Sequence, residues 1–199
     1  VGRVLEGTLE NADRSLRHSV SIMEAHAAAG VARTASLPDT QLLFAAVPEN
    51  GYGIQLVMNH QGRILAASRP TPPGEWVLSD RRYFQIQRDH PDTGFFLGAP
   101  FLSAYDNQPS VAMSRRWNRP DGTFGGIVVQ TLKLADLHEL FSSFRLGPDS
   151  GVTVLLRDGV TITRFPYTTE HIGSSFAGGG HFQRLLQERQ GSLTVQDPS

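Results

Sequence analysis

The chain has 199 residues, 39% hydrophobic and 19% charged, enough apolar material for one large domain or two small ones with real cores, which argues against wholesale disorder. A formal net charge of −1 gives no long-range field for nucleic acid, and the eleven phenylalanines are not interleaved with basic clusters, so no nucleic-acid partner is expected. The absence of cysteine excludes a disulfide framework, a thiol nucleophile and a cysteine-ligated metal.

From Val1 to about Thr34, Leu5, Leu9, Ala12, Leu16, Val20, Met23, Ala27 and Val31 recur every three or four positions, which predicts one long amphipathic helix. The same period suits a coiled coil, so the first two turns are a candidate seam for a homodimer. A short helix follows from Asp39 to Ala46. Ile54 to Met58 and Arg63 to Ala67 read as strands joined by the turn Asn59-His60-Gln61-Gly62. Pro70 to Gly74 forces a loop, and Asp80 is placed to cap a helix from Arg81 to about Asp89.

Three further strands are predicted, Phe95 to Leu102, Ser110 to Trp117 and Phe124 to Leu134, with the turn Arg119-Pro120-Asp121-Gly122 before the last and a helix from Ala135 to Phe144 after it. This order implies an α+β fold: a long N-terminal helix and one five-stranded antiparallel sheet with helices around it. The pattern then begins again. Val152 to Leu156, the turn Arg157-Asp158-Gly159 and Val160 to Arg164 repeat the first hairpin, Gly159 lying 97 residues after Gly62. The glycine-rich Phe176 to Gly180, a helix from His181 to Arg189 and a strand from Ser192 to Val195 complete what reads as a second, incomplete module. The expected organisation is a helical region over 1–48, a ligand-binding module over 49–145 and a partial module over 146–199.

No run approaches the roughly 18 apolar residues needed to span a bilayer, and no signal-peptide series is present. The chain opens at Val1, already inside a helical pattern, and reads as a segment of a longer protein whose membrane helices would lie outside it.

Asp80-Arg81-Arg82-Tyr83-Phe84, Ser114-Arg115-Arg116, the run Asp121-Gly122-x-Phe124-x-Gly126-Ile127-Val128-Val129 and Leu132-x-Leu134 before a helix stand in an order that resembles the double Cache family, the PAS-like extracytoplasmic sensor domains of bacterial receptors. The hairpin Val152 to Pro166 resembles the opening of that family's membrane-proximal module. The resemblance implies a periplasmic domain between two transmembrane helices, a small-molecule ligand in the first module, no cofactor, and a cytoplasmic kinase, chemoreceptor or cyclic di-GMP output. It also implies a pocket built from about Val77 to Leu134.

Arg81-x-Tyr83-Phe84 resembles the motif with which such domains hold a carboxylate, since guanidinium and phenol donors bind it while rings exclude water. The aspartate that anchors an amino acid's ammonium in the family falls near Thr131 here, so a carboxylate or neutral polar ligand is expected over an amino acid. On the strand from Ser110, Arg115 and Arg116 must point to opposite faces. Alternation from Val111 and Met113 directs Met113 and Arg115 inward, where Arg115 contacts ligand or forms a buried salt bridge to Asp80 or Asp106. Tyr105, in the loop between two pocket strands, either reaches the ligand or lies on the surface. The candidate ligand-binding set is Arg81, Tyr83, Tyr105, Met113, Arg115 and Thr131.

An enzymatic reading finds little support. His18, His26, His60, His90, His138, His171 and His181 form no zinc-site spacing, and neither a nucleophile elbow nor a phosphate loop occurs. No metal is expected. Two alternatives to the sensor are a ligand-free dimerisation scaffold and a hydrolase whose Ser, His and Asp converge from distant segments.

Overall fold

The computed structural model describes residues 2–30, 37–47, 53–143, 151–165, 172–178 and 182. Helix α1 (Gly2–Ala28) buries Ala12, Leu16 and Met23 along one stripe, as the periodicity predicts, together with Ser15 and Ser19, which it does not. The helix stops at Ala28, short of the expected end near Thr34, and residues 31–34 of that expectation lie outside the described residues. Gly30 takes a left-handed φ of 71° and its N–H bonds the Ala27 carbonyl at 3.3 Å, a conformation that ends a helix at little cost only for glycine. Helix α2 (Thr40–Leu43) is capped by Asp39, whose carboxylate accepts the Gln41 N–H at 2.8 Å.

The sheet comprises β1 (Gln55–Asn59), β2 (Ile64–Ala67), β3 (Phe96–Leu97), β4 (Phe101–Leu102), β5 (Pro109–Asn118) and β6 (Phe124–Lys133). Its order is β2-β1-β6-β5-β3, with β4 also pairing β5, and the pairs are antiparallel. The α+β expectation holds, with one difference. The expected strand Phe95 to Leu102 is split into β3 and β4 by Gly98-Ala99-Pro100, because proline lacks the N–H that would continue the ladder.

Alternation assigns the two faces of the sheet. Ile54, Leu56, Met58, Ala112, Ile127 and Val129 pack in one cluster with Leu78, Tyr83 and Phe84 of helix α3 (Arg82–Asp89) and its approach. The opposite face carries Gln55, Val57, Met113, Arg115 and Gln130 and is covered by α1. There Ser15 donates to Gln55 at 2.9 Å, and the Gln55 amide donates to Ser19 at 3.0 Å. Helix α4 (Leu134–Ser142) follows β6 directly and buries Leu134, Leu137 and Phe141.

The chain divides into two compact units, Val1–Arg145 and Leu146–Ser199, so α1 belongs to the same unit as the sheet. In the second unit β7 (Val152–Leu155) and β8 (Thr161–Phe165) form an antiparallel hairpin. The helix and strand expected over 181–195 lie outside the described residues, except Phe182, which is helical and buried.

Candidate functional site

Helix α3 starts at Arg82, with Arg81 in extended conformation at the cap position and no side-chain cap. Asp80 therefore does not cap it; its carboxylate is solvent-exposed and lies 3.9 Å from Arg81 Nε. The helix is held to the sheet by polar bonds. Ser114 donates to the Tyr83 carbonyl at 3.1 Å, the Gln87 amide donates to the carbonyls of Gly94 and Ser114 at 2.9 Å each, and Arg116 donates to the Gln87 carbonyl at 3.2 Å. The Arg116 guanidinium also stacks 4.8 Å above the Phe124 ring.

Where the edge strand breaks, a cavity of about 310 Å³ opens between the start of α3 and Gly98-Ala99-Pro100. Arg81 and Tyr83 form one wall, Phe96, Phe101 and Ala112 another, and Asp80 stands at its rim. Tyr83 is packed against Phe101 with ring centroids 5.8 Å apart. Burial pushes the Tyr83 phenol up to about 12, against the pull of the Arg81 charge, so it remains a neutral donor. Arg81 Nε is buried and, among the described residues, has no hydrogen-bond partner. A buried donor without an acceptor is costly, and Arg81 presents this one at the cavity wall.

The six residues expected to bind ligand fall in four places. Arg81 and Tyr83 share the cavity. Tyr105 lies with Trp76, Leu78 and Ala104 around a crevice of about 20 Å³ and packs against the α3-side core. Thr131 shares the cavity's face and pairs with Ala112, but its hydroxyl accepts the Ile54 N–H at 3.0 Å and fills the space beside Gly53. Met113 and Arg115 face α1, on the side of the sheet away from this cavity. The inward direction was right for Met113, which is fully buried, yet inward there means toward α1.

Arg115 makes a two-pronged ion pair with Asp13, its Nη2 bonding Oδ2 at 3.0 Å and its Nε bonding Oδ1, instead of pairing with Asp80 or Asp106. Burial pushes the Asp13 carboxyl up, but the bonds and charge of Arg115 and then Arg17 outweigh it and hold the group below the usual carboxylate range. Asp106 pairs with Lys133 at 2.7 Å.

Residues that sequence reasoning missed are Phe96, Ala99, Pro100, Phe101 and Ala112. The signal for them was Gly98-Ala99-Pro100 inside an otherwise strand-like run. The cavity's lining contains no serine or histidine, and among the described residues no group of three or more His, Asp or Glu side chains could hold a metal ion. No described helix is long and apolar enough to cross a membrane.

No family model matches the chain, and no curated protein matches it in sequence. Solved structures do. An extracellular domain assigned to the histidine kinase rpHK1S-Z16 is similar with a TM-score of 0.66 and 23% identity, over 93% of this chain and 77% of that one. An extracellular ligand-binding receptor from Desulfohalobium retbaense gives 0.65 and 19% over 98% of this chain, which spans 34% of that longer chain. The ligand-binding domain of the Pseudomonas aeruginosa amino acid chemoreceptor PctB, in complex with L-arginine, gives 0.55 and 16% over 85% of this chain and 70% of that one. At these identities the likeness shows the fold: a long helix and antiparallel sheet shared with extracellular sensor domains.

Proposed function

We propose that the chain is the extracytoplasmic sensor domain of a bacterial transmembrane signalling protein, and that the cavity beside Gly98-Ala99-Pro100 takes a small carboxylate or polar ligand. The observation that carries this reading is Arg81: its Nε is buried without a hydrogen-bond partner among the described residues, on the wall of a 310 Å³ cavity. A carboxylate supplies the missing acceptor, and charge-assisted bonds of this kind are about twice as strong as neutral ones. The Tyr83 phenol is a second donor, and Phe96, Phe101 and Ala112 receive an apolar end.

A zwitterion fits less well. Among the described residues the only acid on the cavity is Asp80, whose side chain is 77% exposed and whose charge is screened by water. Thr131, where the resembling family places an ammonium anchor, spends its hydroxyl on Ile54. PctB, which binds an amino acid, shares with this proposal the carboxylate end of the ligand.

Ligand binding would draw α3 and the Gly98 segment together, and the signal would leave through α1 or the second unit. Such a change shifts an equilibrium only by the difference in affinity for its two states. A homodimer through the start of α1 is part of the same proposal: Val4 is exposed and Leu5 and Leu9 are only half-buried, so the first two turns keep an apolar stripe that a second copy would cover.

The experiment is a calorimetric titration of the purified domain with acetate, propionate, succinate and benzoate, repeated on Arg81→Met, which keeps the stem and removes the donors. Binding that disappears in the folded variant supports the site. Unchanged affinity removes Arg81 from it.

A further inference from the structure

Ser114, Arg115 and Arg116 are consecutive on β5, and alternation sends their side chains to helices on opposite faces of the sheet. On the cavity side Ser114 and Arg116 hold α3: the first bonds the Tyr83 carbonyl at 3.1 Å, the second the carbonyls of Gln87 and Arg88 at 3.2 and 3.4 Å. On the other side Arg115 grips Asp13 of α1 through two bonds. Further along the strand, the Asn118 N–H is accepted by Glu24 of α1 at 2.9 Å.

A second link runs outside β5. The Gln87 amide that bonds the Ser114 carbonyl also bonds that of Gly94, and the next ring, Phe95, lies 5.9 Å from the Arg115 guanidinium. Both of these routes from α3 lead to Arg115, while a parallel one runs from Arg116 through the Asn118 side chain, whose backbone N–H is held by Glu24 of α1. Apolar contacts such as that of Met113 can slide with little change in energy, but a two-pronged guanidinium–carboxylate pair fixes direction as well as distance. Arg17, 3.0 Å from Asp13, bears on the same carboxylate.

We propose that Arg115 is a positioning residue that couples the cavity side of the sheet to α1, so that a displacement of α3 reaches the long helix through Arg116, the β5 backbone and the Arg115–Asp13 pair. The inference rests on the reading of the cavity as the ligand site only for its biological meaning; the coupling itself is a property of the unliganded chain. It turns the ion pair from a local staple into a route by which one face of the sheet reports to the other.

The test measures amide hydrogen exchange by mass spectrometry, without ligand, comparing α1 segments within residues 10–24 with β6 as the internal reference. Arg116→Met loosens α3 from the cavity side. The expected result is about fivefold faster exchange in α1 relative to β6 in the otherwise native chain, and a clearly smaller response, the part carried through Asn118 and Glu24, when Arg115→Met or the shape-conserving Asp13→Asn is already present. The Asp13→Asn background keeps the test informative if Arg115→Met unfolds the domain. An α1 that ignores Arg116→Met, or that responds equally in all three backgrounds, overturns the coupling. Because no ligand is used, that failure leaves the ligand reading standing, and a failed ligand titration leaves the coupling standing.

Discussion

Gly62 and Gly159 hold the same place in two successive hairpins. Each has a left-handed φ, 80° and 85°, and each carbonyl accepts an N–H at 2.9 Å from a later strap, Leu78 for the first and Phe176 for the second. The adjoining residues pair in the same way, Arg63 with Val77 and Val160 with Ser175. A Cβ on Gly62 would lie 2.6 Å from Ser79 N, and one on Gly159 2.7 Å from Ala177 N. Gly62→Ala and Gly159→Ala should therefore each destabilise their unit by about 1–3 kcal/mol, from backbone strain plus the collision. Urea unfolding measures this; a change under half a kcal/mol in both would contradict the shared geometry, since surface substitutions fall within about ±0.5 kcal/mol.

The repeat carries further in the sequence. Counting from Ser79 and Ala177, Phe84 corresponds to Phe182, and both are buried. Asp80-Arg81-Arg82-Tyr83 corresponds to Gly178-Gly179-Gly180-His181. At these positions the second copy thus has no counterpart of the guanidinium and phenol that line the first unit's cavity.

Asp13 makes the domain sensitive to acid. Its carboxyl is held below its ordinary value, so the stability it confers is present above the unfolded pKa and lost as pH falls through the folded one. Unfolding free energy measured from neutral pH to below about 4 should fall less steeply in Asp13→Asn than in the native chain. Parallel curves would mean that Asp13 contributes no linkage.

Tyr83 has the opposite dependence, at the alkaline end. Its phenol is raised to about 12 by burial, so its contribution is intact below the unfolded value near 10 and is lost as pH rises through the folded one. Tyr83→Phe should flatten the loss of stability between those values, read by circular dichroism melts. An unchanged alkaline slope would place the phenol in water.

Much of the fold is legible because periodicity and turn residues agree. The spacing from Leu5 to Met23 points to α1, and Asn59 and Gly62 point to the first hairpin. Periodicity alone misplaces the end of α1, because Gly30 counts there as one glycine in a helical pattern, whereas its left-handed φ stops the helix. The split between β3 and β4 escapes the pattern because Phe95, Phe96, Phe101 and Leu102 look like one strand until Pro100 is counted as a missing donor.

The site is half legible. Arg81 and Tyr83 share one wall of the candidate cavity because a local motif places them together at one helical start. Arg115 cannot be assigned, since alternation says that it opposes Arg116 but not which face holds the cavity. Its partner, Asp13, is 102 residues away on a helix whose docking the sequence does not specify. Ser15 and Ser19 pass as ordinary polar positions, although Gln55 makes them part of the buried stripe.

The most direct measurement is the melting temperature of the purified domain against a panel of small carboxylates, amino acids, purines and polyamines, run in parallel on Arg81→Met. At a hundredfold excess over the dissociation constant, a specific ligand adds about 2.7 kcal/mol, a shift of several degrees for a domain of this size. The account predicts a rise with carboxylates that is absent in Arg81→Met. A rise that persists in Arg81→Met, or one confined to purines or polyamines, would contradict it.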